Sequence, residues 1–140
     1  MDVDQIKLVK NSWDKVIIAS DQSGRMFYNK LFDLDPSLKS LFKVPIDEQV
    51  DKLYSTISFA VRGLDDLPAI TPIISRLGKQ HVKYGVKDKH YDTVGAALIW
   101  TLEQTIGQDF CNDTRIAWLT TYEMLANVMK DAAAMSTECH

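Results

Sequence analysis

The chain holds three histidines, two cysteines and 19 acidic residues among its 140, and their spacing leaves few routes to chemistry. No glycine-rich phosphate loop, paired-cysteine motif or Gly-x-Ser-x-Gly elbow occurs. With so few imidazoles and scattered carboxylates, a metal site built from several side chains would be hard to assemble. Any chemistry therefore points to a bound cofactor. His140 is terminal and reads as a solvated tail residue. His90, in Lys87-Asp88-Lys89-His90 at a helix start, reads as solvent-exposed. His81 is different, because Ile70, Ile74, Leu77 and His81 fall at helical spacing on one apolar face. A lone histidine on such a face is first of all a core residue, and becomes a ligand only if the chain supplies a pocket facing it. Cys111 and Cys139 have no partner at ligand spacing, apart from the terminal Cys139–His140 pair, and read as free thiols of a reducing compartment.

The elements that must position these residues follow the 3.6-residue period, and nothing reads as a strand. Asp2 and Gln5 form a capping pair ahead of the stripe Ile6, Val9, Trp13, Val16 and Ile17. A break at 20–24 precedes a segment with Phe27, Tyr28, Leu31 and Phe32. Asp35-Pro36 opens a short helix through Leu41, with Pro in the first turn where its missing N–H costs nothing. Lys43 to Pro45 is a loop. From Asp47 a long amphipathic helix carries Val50, Leu53, Tyr54, Ile57 and Val61 and ends at Gly63. Pro68 and Pro72 bracket the next start, and Gly85 closes the segment that holds His81. Tyr91, Val94, Leu98, Leu102 and Ile106 mark a further helix, stopped by Gly107. Asn112 or Asp113 caps the last, with Ile116, Leu119, Tyr122, Ala126 and Met129 as its stripe. The pattern predicts an all-α chain of about seven helices in one domain over 1–140, with a frayed tail over 132–140.

Composition sets the class. Apolar residues make up 46% and charged residues 25%, the balance of a folded globular domain, and the formal net charge is −3. The signs are mixed along the chain with no Lys/Arg stripe, which argues against nucleic acid or an anionic membrane as the main partner. Apolar runs are far too short to span a bilayer, and the charged start lacks a secretory core. A cytoplasmic location is the expectation.

A pocket facing His81 comes from a family resemblance. The segments 27–32 and 35–42 resemble the second and third helices of globins. The stretch 67–81 with Tyr84-Gly85-Val86 is similar to their proximal helix and its corner. Residues 90–98, then Trp118, Tyr122 and 125–128, are similar to their last two helices. The likeness covers essentially residues 4–131 and is nearest to bacterial single-domain globins and the globin domain of flavohaemoglobins. It implies the globin fold, haem b as cofactor and His81 as proximal iron ligand. It places Tyr28, Gln49 and Leu53 on the distal side and Phe42 as the aromatic wedged on haem. Tyr84, Val86, Tyr91 and Val94 fall among the residues expected to touch the cofactor.

The resemblance implies dioxygen, nitric oxide or carbon monoxide as ligands. Bound dioxygen is a strong hydrogen-bond acceptor, and Tyr28 O–H and the Gln49 amide are the available donors. One such charge-assisted bond contributes on the order of 1.5–3 kcal/mol. No histidine lies near Gln49, which excludes a bis-histidine iron; Tyr28 itself, or a water it steadies, remains an alternative sixth ligand. In flavohaemoglobins a glutamate and a tyrosine hold the proximal imidazole. Tyr91 matches the tyrosine, while Met135 stands where the glutamate is expected and Glu138 lies further on. The Leu77 carbonyl, four residues before His81, is the alternative anchor. The chain carries no flavin or nicotinamide domain, so a catalytic cycle needs an external reductase. An oxygen-binding protein and a nitric oxide dioxygenase need the same distal donors, and the sequence does not separate them. A sensor lacks an output domain, and a haem-free helical module is the plain alternative. Monomer or weak homodimer is the expected state.

Overall fold

The computed structural model describes the backbone of residues 1–138 and side chains through Met135; Cys139 and His140 lie outside the described residues. Six α-helices and two 3-10 helices form, with no strand among the described residues: α1 Val3–Ile17, α2 Ser20–Leu34, α3 Ile46–Arg62, α4 Leu67–Lys83, α5 Asp88–Ile106 and α6 Asn112–Glu138. The 3-10 helices are Pro36–Leu41 and Gly107–Asp109. The all-α prediction holds.

Several boundaries follow their expected causes. The Asp2 carboxylate accepts the Gln5 N–H while Gln5 reaches back to Asp2, closing the capping box of α1. Asp35 caps the Pro36–Leu41 helix through the Ser37 N–H. Gly63 ends α3, and Gly85 turns the chain after α4 at φ 90°, a conformation that favours glycine.

Several boundary and burial expectations are corrected. The break lies at Ile18–Ala19 rather than 20–24, because Ser23 returns its hydroxyl to the Ala19 carbonyl and also meets Tyr54, so this polar stretch is satisfied within a helix. Pro72 lies inside α4, where the carbonyl it leaves without an N–H partner sits on the exposed side. At α6, Arg115 N–H bonds the Cys111 carbonyl and the Cys111 thiol meets Thr114, so Cys111 takes the capping place given to Asn112 or Asp113. His90 is buried rather than solvent-exposed, because its Nδ1 accepts the Lys87 N–H and folds the ring over the first turn of α5.

The core is built from Val9, Trp13 and Val16 of α1, Phe27, Tyr28 and Leu31 of α2, Tyr54 and Val61 of α3, Leu98 and Leu102 of α5, and Trp118 of α6. Both indoles in it are satisfied: Trp13 Nε1 donates to Ser58 at 2.9 Å and Trp118 Nε1 to Ser12 at 2.7 Å. The second bond turns α6 so that Ala117, Trp118 and Thr121 face inward, while Ile116 and Leu119, expected on the buried stripe, are exposed. The segment from Ala132, expected to fray, is helical through Glu138, with Ala132 buried.

The arrangement leaves one gap that matters. Helix α4 rests on α6, and α3 rests on α1 and α2, with no extended packing between α3 and α4. No described helix is long and apolar enough to cross a membrane.

Candidate functional site

Between α3 and α4 lies a cleft of about 280 Å³, lined by Thr56 and Phe59 on one side and by Ile73, Leu77 and Gln80 on the other. Helical spacing extends each wall. Gln49, Leu53 and Thr56 share one stripe of α3, and Ile73, Leu77 and His81 share one stripe of α4. Leu53 and Gln49 thus stand one and two turns before the α3 wall, and His81 one turn after Leu77 of the α4 wall.

His81 is held at both its edge and its face. A carbonyl only accepts, so the 2.8 Å contact between Nδ1 and the Leu77 carbonyl fixes the proton on Nδ1. Nε2 is then the free, unprotonated nitrogen. Burial pushes the imidazole below its ordinary pKa, opposed by the bond to Leu77, which keeps the ring neutral and able to ligate. Tyr91 stacks beside it, centroids 6.5 Å apart and planes 24° off parallel. Tyr91 is itself placed by Tyr122, whose hydroxyl donates to the Tyr91 carbonyl at 2.6 Å, and Lys130 Nζ lies 5.6 Å over the Tyr91 ring. Tyr122 reads from sequence only as a residue of the last helix, without this role, and Lys130 is not singled out. Both act across a helix–helix contact that no local spacing announces.

On the α3 side, Tyr28 is buried and sits edge-on to Phe42 at 5.4 Å, with Phe32 packed on the same Phe42 ring at 5.6 Å. The Tyr28 hydroxyl donates to the main-chain carbonyl of Gln49 at 3.2 Å. Burial, and then Tyr54 nearby, push this phenol well above the usual range, so it stays protonated and remains a donor. Gln49, Leu53, Val86 and Val94 are half-buried. The structure does not bring Tyr84 to this group: it caps α4 and is 65% exposed. Met135 is exposed as well.

The donor set limits what the cleft can hold. Among the described residues no three His, Cys, Asp or Glu side chains converge, so a bare metal ion would find a single imidazole. A metal that carries its own equatorial ligands in a flat apolar macrocycle needs no more than that. The apolar walls and the one desolvated, neutral imidazole fit such a group.

A family model for globins matches residues 25–129. Among curated proteins, the neuroglobin of Tetraodon nigroviridis is 30% identical over 146 residues, covering 94% of this chain and 92% of that protein. The neuroglobin of Chaenocephalus aceratus is 29% identical with the same coverage. Among solved structures, an engineered carbene transferase from Rhodothermus marinus, its parent described as a nitric oxide dioxygenase, superposes with a TM-score of 0.88 at 24% identity, covering 99% of this chain and 97% of that one. A bacterial globin from Campylobacter jejuni gives 0.86 at 23% identity, covering 98% and 99%. At these identities the two structures speak for the fold alone.

Proposed function

The chain belongs to the globin family, whose cofactor is haem, and from that premise we propose that it binds haem b through His81 and takes up diatomic gases beside Tyr28 and Gln49. The observation that carries this reading is the state of His81. Its Nδ1 proton is committed to Leu77, its ring is steadied by Tyr91, and Nε2 is left neutral and desolvated. Haem supplies, when bound, an iron that accepts dioxygen, nitric oxide or carbon monoxide as a ligand.

The remaining work falls to the protein. His81 holds the iron in one tautomer, since the Leu77 carbonyl prevents the ring from presenting Nδ1. Tyr28 and the Gln49 amide supply protons for hydrogen bonding to a polarised ligand. Leu53 and Phe42 line the approach with hydrocarbon and keep water from competing for those donors. Burial raises the Tyr28 pKa, which keeps the phenol protonated and able to donate. Val86, Tyr91 and Val94 would flank the group, and Tyr84, exposed at the end of α4, would stand clear of it.

A second reading is favoured by one neighbour. The Rhodothermus marinus protein's parent is described as a nitric oxide dioxygenase, and its fold is shared. Here nitric oxide and dioxygen would combine to nitrate, one electron being returned by an external reductase. Two measurements test these readings. Purified protein titrated with hemin should develop a Soret band that His81→Ala loses or broadens; a fully loaded His81→Ala with an unchanged spectrum overturns the ligand assignment. Nitrate formed under steady reduction, set against the lifetime of the oxygenated protein, then separates enzyme from carrier.

A further inference from the structure

Charge in this chain is segregated in a way that composition hides. Between Leu67 and Tyr91 stand Arg76, Lys79, Lys83, Lys87 and Lys89 against the single acid Asp88, which leaves 11 basic and 18 acidic residues for the rest of the chain. Contrary to the sequence expectation of no Lys/Arg stripe, Arg76, Lys79 and Lys83 recur at i, i+3 and i+7 and form one along α4, with Arg76 at the rim of the cleft. All five cations are exposed. Elsewhere Lys10, Lys15, Arg25 and Arg115 pair with Asp65, Asp109, Asp21 and Asp47, and Glu103. The five cations of this corner make no ion pair among the described residues. Tyr84, 65% exposed, lies between Lys83 and Lys87 in the chain.

We propose that the surface formed by Arg76, Lys79, Lys83, Tyr84, Lys87 and Lys89 docks an acidic one-electron carrier protein of the flavin or iron–sulfur class. This rests on the haem reading above. Lys79 and Lys83 lie two residues on either side of His81, about 3 Å along the helix axis but on the opposite side of α4, so a protein seated on this face rests against the back of the helix that holds the iron's ligand. The transfer makes and breaks no bond: the carrier is oxidised by one electron and ferric iron becomes ferrous. A concentrated basic face on an otherwise acidic molecule orients an acidic partner before contact, and such steering raises association rates by 10–1000-fold at low ionic strength. Arg and exposed Tyr are also the residues enriched where proteins meet. The net charge of −3 opposes approach to an extended polyanion, which favours a protein over a membrane or nucleic acid.

The test mixes the oxidised holoprotein with a reduced acidic [2Fe–2S] ferredoxin in a stopped-flow instrument and follows the haem spectrum across ionic strength. The rate should fall steeply as salt rises. Lys79→Glu or Lys83→Glu should lower it about tenfold at low salt and weaken the complex measured by calorimetry, leaving carbon monoxide binding unchanged. Lys7→Glu, an exposed residue on α1 with the same change in net charge, should stay within about twofold of the parent. Rates that ignore salt, or that fall equally in all three variants, overturn the docking site. So does a Lys79→Glu variant that loses binding to phosphatidylglycerol vesicles while its reduction by ferredoxin is unchanged, since the surface would then be a membrane contact. Protein that shows no Soret band with hemin fails the haem reading before any donor is added. Protein with a normal Soret band and charge-blind reduction fails the docking proposal alone.

Discussion

Tyr28 is tied to Gln49 through the main chain, its hydroxyl donating to the Gln49 carbonyl at 3.2 Å. The phenol expected to serve a bound gas therefore already has an acceptor, and its worth to the ligand is the difference between two bonds. A charge-assisted bond contributes about 1.5–3 kcal/mol and a neutral one about 0.5–1.5 kcal/mol. The difference is about 1 kcal/mol, roughly five- to tenfold in affinity. Tyr28→Phe should thus speed oxygen dissociation by about that factor, read by rapid mixing with carbon monoxide. An unchanged rate would mean that the hydroxyl never leaves the Gln49 carbonyl and serves structure only.

A second expectation concerns acid. His90 Nδ1 accepts the Lys87 N–H at 2.9 Å, which only a neutral ring can do. Burial first, then the charge of Lys89, hold its pKa below the ordinary imidazole range, with Asp35 opposing and Lys87 adding. The unfolded chain then binds the proton more readily than the folded one. The stability this bond gives is present above the unfolded pKa of about 6.5 and is lost as pH falls below it. The loss should reach about 1 kcal/mol, the worth of a helix cap. Urea unfolding at a series of pH values should show it, and His90→Gln, which keeps an acceptor that does not titrate, should flatten the curve. Equal acid sensitivity in parent and variant would place the effect elsewhere.

What the sequence made legible follows from the range of each interaction. Caps and stops that act within four residues, such as Asp2 with Gln5, Asp35 with Ser37, and Gly63, were readable because their chemistry is local. So was the bond from His81 to Leu77, one turn apart on a helix. The errors arise where a distant group decides. Ser12 on α1 turns Trp118 inward and rotates the buried face of α6, and no periodicity within α6 contains Ser12. Tyr122 and Lys130 reach Tyr91 across the contact between α5 and α6. His90 looked solvated because its neighbours are charged, yet the nearest main-chain N–H decided its place. Of the residues assigned by resemblance, Tyr28 packs on Phe42 and His81 on Tyr91, two groups that stand apart, while Tyr84 lies at an exposed helix end.

The Ser12–Trp118 bond should be measurable in stability. Trp118 is 2% exposed, and its indole N–H has no water to turn to if Ser12 is truncated. Leaving a buried donor unsatisfied costs about 1–3 kcal/mol, more than the bond itself contributes. Ser12→Ala should lower the unfolding free energy by that amount in denaturant titrations monitored by tryptophan fluorescence. Ser12→Thr, which keeps the hydroxyl, should lose less. Equal losses for the two would show that Ser12 matters for its packing rather than for its oxygen.

Gly78 carries the last prediction, because there two opposing effects can be ranked. In an exposed helix, replacing glycine by alanine gains up to about 1 kcal/mol, since less backbone freedom is lost on folding. At Gly78 a Cβ would stand 2.7 Å from Met129 Cα and 2.9 Å from its carbonyl carbon, main-chain atoms of α6 that no rotamer change can move. The helices must separate instead, and α4, which carries His81, rests on α6 at this point. Overpacking of this kind costs about 1–3 kcal/mol, so the sign of the usual substitution reverses. Gly78→Ala should unfold at lower denaturant than the parent. It should also surrender haem faster to an excess of a colour-distinct acceptor globin, because the strain falls on the helix that carries the ligand. A variant as stable as the parent would mean that α4 and α6 have room the structure does not show. One that is destabilised but keeps haem equally well would mean that α4 moves as a rigid body with its cofactor.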